Sequence, residues 1–264
     1  MSSQAVLWNV DEASGIATIT FNRPEVLNAV DVPTAQAFLA AVRAVTATPG
    51  VRAILISGEG RAFVAGGDVS AFGSEPGKAA EVVNGILDAM HPALLALREH
   101  PAPVIAAVRG AAAGAGLSLV LSADLVICDE GARFVIAYDR LGTTPDCGAT
   151  WFLARKVGRT KATELFVLSE AMGAEEAKAT GIVSKVVPAD ELDAQAAALA
   201  AKIASGPTLA YGGFARLMDS ATEIDLGDQL ERERDFFMTM IEKADFREGV
   251  SAFLEKRKPA FKGA

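Results

Sequence analysis

A lone carboxylate stands in the segment TTPDCGATWFLARKVG (143 to 158), where Asp146 follows a proline and precedes an apolar, helix-like run. A carboxylate at the mouth of an apolar pocket can serve as a general acid and base, because desolvation raises its pKa toward neutral pH. Aspartate is also favoured at the N-cap of a helix, where its side chain accepts backbone N–H groups. The local sequence leaves both roles open.

Two glycine-rich stretches could supply an anion site, GEGRAFVAGGDVSAF (58 to 72) and VRGAAAGAGLSLVLSADL (108 to 125). Gly66 and Gly67 permit unusual backbone angles, and residues 114 to 116 open a helix whose free N–H groups favour an anion. Two convergent N–H donors form an oxyanion hole, which stabilises charge on a thioester or carbonyl oxygen. The alternative is that these small residues serve tight packing between helix and sheet.

The remaining polar candidates favour structural roles. Neither glycine-rich stretch has the spacing of a phosphate loop or of a dinucleotide site. His91 and His100 lack Cys or His partners at metal-ligand spacing, so we expect surface or capping positions. Asp68 is placed to cap a short helix. Cys147, without an obvious base beside it, is interpreted as a buried structural thiol.

Alternating hydrophobic periods indicate strands and helices that could position these residues. Strands are predicted in AVLWNV and GIATITFN, which form an antiparallel pair, and in RAILISG, PVIAAVRG, DLVICD and GIVSKVV. Helices are predicted at 33–46, 79–99, 114–123, 161–172 and 192–205. The strand, helix, strand order implies a parallel sheet, and the C-terminal third is a helical appendage.

Composition limits the class of protein. The 264 residues are 51% hydrophobic, enough for one large core, and the net charge of −8 disfavours a nucleic-acid partner or an anionic membrane. Two cysteines are too few for a disulfide scaffold, and the N-terminus lacks the basic and apolar regions of a signal peptide. We therefore expect a cytoplasmic protein without a transmembrane span.

Together with FNRPEVLNAV (21 to 30), the glycine-rich stretches resemble the crotonase, or enoyl-CoA hydratase/isomerase, superfamily. The resemblance continues through LGTTPDCGATW, GAEEAKATGIVSKVVP and DFREGVSAFLEKRKPAFKG, in the same order and spacing, so it covers essentially the whole chain. It implies an α/β fold, the ClpP/crotonase-like spiral of ββα units over residues 1–200, with a helical C-terminal trimerisation region over 201–264. It also implies acyl-CoA thioester substrates, no cofactor beyond the coenzyme A of the substrate, and a homotrimer or homohexamer.

The resemblance assigns the enolate-binding N–H groups to Gly67 and Ala115, where alanine replaces a common glycine but keeps the amide. Hydratases of the family usually carry two glutamates that activate water, and Ser118 and Tyr138 stand at those positions. A hydroxyl with a pKa near 10 is a poor base at neutral pH. Asp146 falls where some isomerases carry a carboxylate, and the segment is most similar to the 1,2-epoxyphenylacetyl-CoA isomerase and enoyl-CoA isomerase branch. We therefore favour allylic isomerisation over capping as the role of Asp146.

Coenzyme A phosphates need local cations on an acidic protein. The resemblance assigns Phe253 and Lys256 to the nucleotide, often of a neighbouring subunit, while the alternative is a solvated basic helix end. Arg23 is a further candidate for the phosphates. The other predicted contacts with substrate or coenzyme A line the loop and the pocket: Ala65, Gly66, Asp68, Val69, Ser118 and Tyr138.

Three alternatives stay open: a hydratase with an unusual base, an isomerase of a ring epoxide, and a CoA-binding subunit without activity. Residues 70 to 90 would vary with the acyl group, so the sequence leaves the substrate undefined.

Overall fold

The computed structural model describes residues 4–72 and 76–264. Within the segment 70 to 90, which is expected to vary with the acyl group, residues 73–75 lie outside the described residues. In the part of the chain that is described, no helix is both long and apolar enough to cross a bilayer.

Short strands and longer helices alternate through most of the chain. The strands are β1 Val6–Asp11, β2 Ile16–Phe21, β3 Ala53–Gly58, β4 Ala62–Val64, β5 Val104–Val108, β6 Ala111–Ala113, β7 Leu125–Asp129, β8 Arg133–Val135, β9 Met172–Gly173 and β10 Lys185–Val187. The helices are α1 Val32–Ala47, α2 Pro76–Glu99, α3 Ala115–Ser122, α4 Ala149–Leu168, α5 Ala174–Ala179, α6 Leu192–Ala204, α7 Thr208–Ser220, α8 Leu226–Ile241 and α9 Ala244–Leu254.

The strands form two sheets. The larger has the order β1-β2-β3-β5-β7-β10, with β1 antiparallel to β2 and the other pairs parallel. The smaller has the order β4-β6-β8-β9, with only the β8–β9 pair antiparallel over the described residues. Each turn of the chain adds a strand to each sheet and then a helix: β3, β4 and α2, then β5, β6 and α3, then β7, β8 and α4. The predicted antiparallel pair and the predicted spiral of ββα units are confirmed.

Burial explains why the central strands are continuous apolar runs. All five residues of β5 are buried, because helices cover both faces of the larger sheet. On one face α1, α2 and α3 contribute to the main core, and on the other α6 packs through small residues such as Ala196 and Ala200 against Ile105 and Ile127. The predicted boundary at residue 200 falls inside α6.

Helix α4 departs from the prediction in two ways. It begins at Ala149 and ends at Leu168, where Ser169 adopts a left-handed backbone, so the predicted helix to residue 172 is wrong at its C-terminal end. Met172 instead belongs to β9. Gly158, with φ 76° and ψ 159°, interrupts α4 and divides it into two helical segments.

Candidate active site

The smaller sheet brings the two glycine-rich stretches together. Strands β4 and β6 pair in parallel, with Val64 beside Ala112, so their carboxyl ends meet at one edge. Gly66 follows β4 and Gly114 follows β6, and both have positive φ, 101° and 49°. A Cβ atom at Gly114 would lie 3.6 Å from the Cα atom of Gly66, which shows how closely the two loops approach.

The segment around Gly67 is held by backbone hydrogen bonds to Val30. The Val30 N–H donates to the Gly66 carbonyl at 2.8 Å, and the Asp68 N–H donates to the Val30 carbonyl at 2.9 Å. These bonds form a parallel bridge between Val30 and Gly67. The position of Gly67 is therefore fixed by main-chain contacts from both of its neighbours.

The motif FNRPEVLNAV provides the brace behind this bridge. The fully buried Asn28 donates from Nδ2 to the carbonyls of Glu59 (3.0 Å) and Ala62 (2.9 Å), which ties the loop to the start of β4. Arg23 donates from Nη1 to the Ala29 carbonyl at 2.9 Å and pairs with Asp31 at 2.8 Å. The Arg23 guanidinium thus stabilises the loop, and its predicted contact with coenzyme A phosphates stays a prediction.

The N–H groups of Gly67 and Ala115 are free to donate hydrogen bonds to a ligand oxygen. Over residues 4–72 and 76–264, neither group has a hydrogen-bond acceptor within the chain. Ala115 is the first residue of α3, whose N-cap is Gly114, so the partial positive charge of the helix start adds to its donor strength. Two unpaired donors on adjacent loops are what an oxyanion hole requires.

Asp146 takes part in a hydroxyl network instead of capping α4. The N-cap of α4 is Gly148, and the Asp146 carboxylate accepts a hydrogen bond from the Tyr138 hydroxyl at Oδ1. The capping alternative for Asp146 is therefore wrong. Fully buried Ser118 lies behind Tyr138, with its Oγ 3.3 Å from the Tyr138 hydroxyl and 3.2 Å from the Asp146 carbonyl oxygen.

Electrostatics keep the neighbouring side chains protonated. Burial, and then the charge of Asp146, raise the pKa of the Tyr138 hydroxyl far above its ordinary value. The same two causes raise the pKa of the buried Cys147 thiol. Neither group is available as a base or a nucleophile near neutral pH, which agrees with the structural interpretation of Cys147.

Strained backbone flanks both partners of the Tyr138–Asp146 hydrogen bond. Ala137, just before Tyr138, has a φ of 65°, and Cys147, just after Asp146, has a φ of 49°. Each left-handed conformation costs a non-glycine residue about 1–3 kcal/mol, so the surrounding packing imposes it. Such strain is typical of sites where side chains must be held in one orientation.

A cavity of about 340 Å³ adjoins this cluster, between α3 and α4. Gly114, Ser118 and Tyr138 border it, together with a mainly apolar wall that includes Leu117, Leu121, Ile136, Leu153, Ala162 and Phe166. The cavity thus lies beside both Ala115 and the hydroxyl network, where it could hold an acyl chain.

Three other predicted residues lie in the loop that contains Gly67 or directly after it. Asp68 accepts hydrogen bonds from Ser70 and caps a short 3-10 turn that contains the exposed Val69, as expected for a capping residue. Ala65 belongs to the same loop as Gly67, and its N–H donates to the Leu27 carbonyl at 3.1 Å.

Phe253 and Lys256 are separate from this cluster. Phe253, at the end of α9, is 83% exposed and borders another cavity, between α7 and α9. The exposed Lys256 follows α9 in a left-handed conformation. The chain therefore does not bring these two residues to the cavity beside Ser118.

Sequence reasoning missed the hydrogen bond from Tyr138 to Asp146. The signal was the turn DRLG between them, which folds the chain back through the Gly142 N–H to Asp139 (2.9 Å) and the Thr143 N–H to Tyr138 (3.2 Å). For His100, the prediction is a surface or capping position, and its Nδ1 accepts a hydrogen bond from the Ala102 N–H at 3.1 Å.

The chain is similar to known proteins over nearly its whole length. Residues 11–264 match the family model described as enoyl-CoA hydratase/isomerase. A Rhodobacter capsulatus protein named a probable enoyl-CoA hydratase is 39% identical over 100% of both chains. The 1,2-epoxyphenylacetyl-CoA isomerase of Escherichia coli is 39% identical over 94% of this chain and 95% of its own. A crystal structure of an enoyl-CoA hydratase/isomerase from Mycobacterium abscessus superposes with a TM-score of 0.92 at 34% identity, covering 98% of this chain and 100% of the other.

Proposed function

Because the chain belongs to the enoyl-CoA hydratase/isomerase family, we propose that it is an isomerase that moves the double bond of an unsaturated acyl-CoA thioester. The observation that carries the proposal is a cluster with one carboxylate and two hydroxyl groups, in which the Tyr138 hydroxyl donates to the Asp146 carboxylate and Ser118 contacts the Tyr138 hydroxyl. A double-bond shift needs one group that removes a proton and returns it, whereas syn hydration needs groups that position and activate water. One carboxylate is sufficient for the former.

The reaction begins with polarisation of the thioester. The thioester carbonyl oxygen accepts hydrogen bonds from the N–H groups of Gly67 and Ala115, and these bonds stabilise the negative charge that develops on the oxygen. The Asp146 carboxylate removes a proton from carbon 2 of a 3-enoyl thioester, and the electron pair enters a dienolate. The same carboxyl group then returns the proton to carbon 4, which gives the 2-enoyl thioester. No atom is gained or lost.

Tyr138 orients the base in this scheme. Its hydroxyl donates to Oδ1 of Asp146, so we assign the proton transfer to Oδ2. Because its own pKa is raised by burial, Tyr138 stays protonated and keeps donating while the carboxylate is charged. Ser118, which is fully buried, supports the tyrosine and carries no proton in the reaction.

The E. coli relative supports a second candidate, since its name describes isomerisation of 1,2-epoxyphenylacetyl-CoA. Opening of a ring epoxide also moves electrons through a thioester that an oxyanion hole polarises, so the same groups could serve it. The Rhodobacter relative, a probable hydratase, keeps water addition as the competing outcome.

A panel of thioesters tests the proposal. Purified protein would be incubated with 3-enoyl-CoA, 2-enoyl-CoA and 1,2-epoxyphenylacetyl-CoA, and the products identified by mass and ultraviolet absorbance. We expect 3-enoyl-CoA to become 2-enoyl-CoA without a change in mass. A gain of one water from 2-enoyl-CoA as the dominant reaction would refute the isomerase assignment, as would binding without any turnover.

We further propose that the protein is a homotrimer or a dimer of trimers, with residues 201–264 forming contacts between subunits. Large apolar side chains on α7, α8 and α9 are exposed in the single chain: Phe214, Met218, Leu226, Leu230, Phe237, Met238, Phe253 and Leu254. An exposed apolar surface of this extent is typical of an interface. It also supports the assignment of Phe253 and Lys256 to the coenzyme A of a neighbouring subunit.

A further inference from the structure

A side-chain contact joins the two ends of the segment that contains Asp146. Ser169, the residue directly after α4, donates from its Oγ to Oδ1 of Asp139 at 2.5 Å. The two residues are 30 positions apart in the chain, and Asp139 is the neighbour of Tyr138. The contact therefore links the far end of α4 to the turn that leads from Tyr138 toward Asp146.

The backbone of Ser169 shows that this contact is more than a way to end a helix. Ser169 is left-handed, with φ 50° and ψ 30°, a conformation in which glycine avoids the crowding of a Cβ atom. By contrast, Ser205 after α6 has an ordinary φ of −81°, and its hydroxyl donates to the Lys202 carbonyl of its own helix at 2.7 Å. What serine adds over glycine at position 169 is the hydroxyl group that Asp139 accepts.

The bond at Asp139 acts on the turn to which Tyr138 belongs. Asp139–Leu141 is a single 3-10 turn whose N-cap is Tyr138. The Tyr138 carbonyl accepts the N–H groups of Leu141 at 3.0 Å and Thr143 at 3.2 Å. A tether on the first residue of such a short turn also fixes the direction of the residue before it, because the turn has few backbone angles that can change independently.

We propose that Ser169 is a positioning residue for the base. Its hydrogen bond to Asp139 fixes the turn, and the turn directs the Tyr138 hydroxyl at the carboxylate of Asp146. The inference rests on the proposed function for the role of Asp146. Ser169 orients the base and does not border the cavity beside it, so turnover should depend on Ser169 while the affinity for the thioester should not.

Ser169→Gly tests the role of the hydroxyl without straining the backbone, because glycine adopts a positive φ freely. The variant should fold as the wild type does, and its thermal midpoint checks this. Its kcat for 3-enoyl-CoA should fall about three- to tenfold at an unchanged KM, as expected for the loss of one hydrogen bond that orients the base. Ser205→Gly removes a serine hydroxyl from the end of another helix and is the matched control, which should keep the wild-type kcat.

A double variant shows whether the effect passes through Tyr138. In a Tyr138→Phe background the hydroxyl that Ser169 is proposed to direct is gone, so Ser169→Gly should cause no further loss of kcat. Two losses that multiply would overturn the inference. A fully active Ser169→Gly, or a rise in KM at an unchanged kcat, would overturn it as well.

A spectroscopic measurement separates this inference from the proposed function. Tyr138 and Tyr211 are the two tyrosines of the chain, so in a Tyr211→Phe background carbon-13 tyrosine gives one Cζ signal, which reports the hydrogen bond of the Tyr138 hydroxyl. Ser169→Gly should shift or broaden this signal, and Ser205→Gly should leave it in place. An unchanged signal in Ser169→Gly would overturn the inference whatever the activity. If the signal moves while the thioester panel shows no isomerisation, the proposed function fails and the positioning of Tyr138 stands.

Discussion

Helices α3 and α8 differ in how much of their apolar surface is buried within the chain. Every residue of α3 from Ala115 to Leu121 is buried, and the helix fits against β4 through Gly116. By contrast, α8 buries Gln229 and leaves Leu230 and Phe237 exposed. The packing around Ala115, which we propose to bind the oxyanion, is thus completed within one chain, whereas the exposed apolar side of α8 supports the proposed contacts between subunits.

The same substitution in the two regions should have opposite effects on stability. A methyl group at Gly116 would overlap the carbonyl oxygen of Val64, so Gly116→Ala should cost about 3 kcal/mol. At Gly249, in the middle of α9, a Cβ atom would meet the Phe261 ring at an ordinary 3.5 Å, so Gly249→Ala should gain about 0.5–1 kcal/mol. Denaturant titrations of both variants measure the difference. If both substitutions lowered the free energy of unfolding by a similar amount, the C-terminal region would be as closely packed as α3.

Removal of the Asp146 charge should stop the chemistry without unfolding the site. Asn keeps an oxygen that can accept the Tyr138 hydroxyl but cannot take up the proton, so Asp146→Asn should lower isomerase turnover about 10²-fold or more. The thermal midpoint and acyl-CoA affinity should stay close to those of the wild type. A fully active Asn variant would contradict the assignment of Asp146 as the base, because asparagine cannot take up the proton.

Charged residues on α8 should break the assembly. Leu230→Asp combined with Phe237→Asp places two carboxylates on the exposed apolar side of α8. The dissociation constant of the subunits should rise at least about tenfold. Sedimentation of a concentration series measures the change. Leu7→Asp, on β1 outside residues 201–264, is the control and should leave the mass unaltered. A wild type that is monomeric at micromolar concentration would contradict the proposed trimer outright.

The smallest effect is expected at Tyr138. Tyr138→Phe keeps the buried ring but removes the hydrogen bond to Asp146, so turnover should fall about tenfold while the protein stays folded. Tyr211→Phe, at the other tyrosine of the chain, supplies the matched control and should be fully active. Equal turnover in both variants would mean that Asp146 is oriented without its hydroxyl partner.

The larger sheet and most helices could be predicted, because their apolar residues recur over enough positions to define a period. The smaller sheet was missed. Its strands, AFV, AAA, RFV and MG, have two or three residues each, and they exist because the chain pairs them over long separations. Strands this short show no hydrophobic period in the sequence, so their pairing could not be predicted from it.

The sequence predicts residues for the proposed site but only part of their geometry. The motifs predict Gly67, Ala115 and Asp146 as site residues, whereas the alternative interpretation of Asp146 as a helix cap places the cap two residues too early. The true cap, Gly148, depends on the left-handed turn at Cys147, which tertiary packing enforces. The hydrogen bonds of Asn28 were likewise not predicted, because the groups that accept from its side chain are the backbone carbonyls of Glu59 and Ala62.

The interruption of α4 at Gly158 allows the two segments of the helix to take different directions, which a straight helix would not. The segment before it is anchored next to Asp146, and the segment after it contributes Arg159 and Phe166 to the cavity wall. A substitution in the second segment can therefore change the shape of the cavity wall while the first segment, next to the proposed base Asp146, keeps its position.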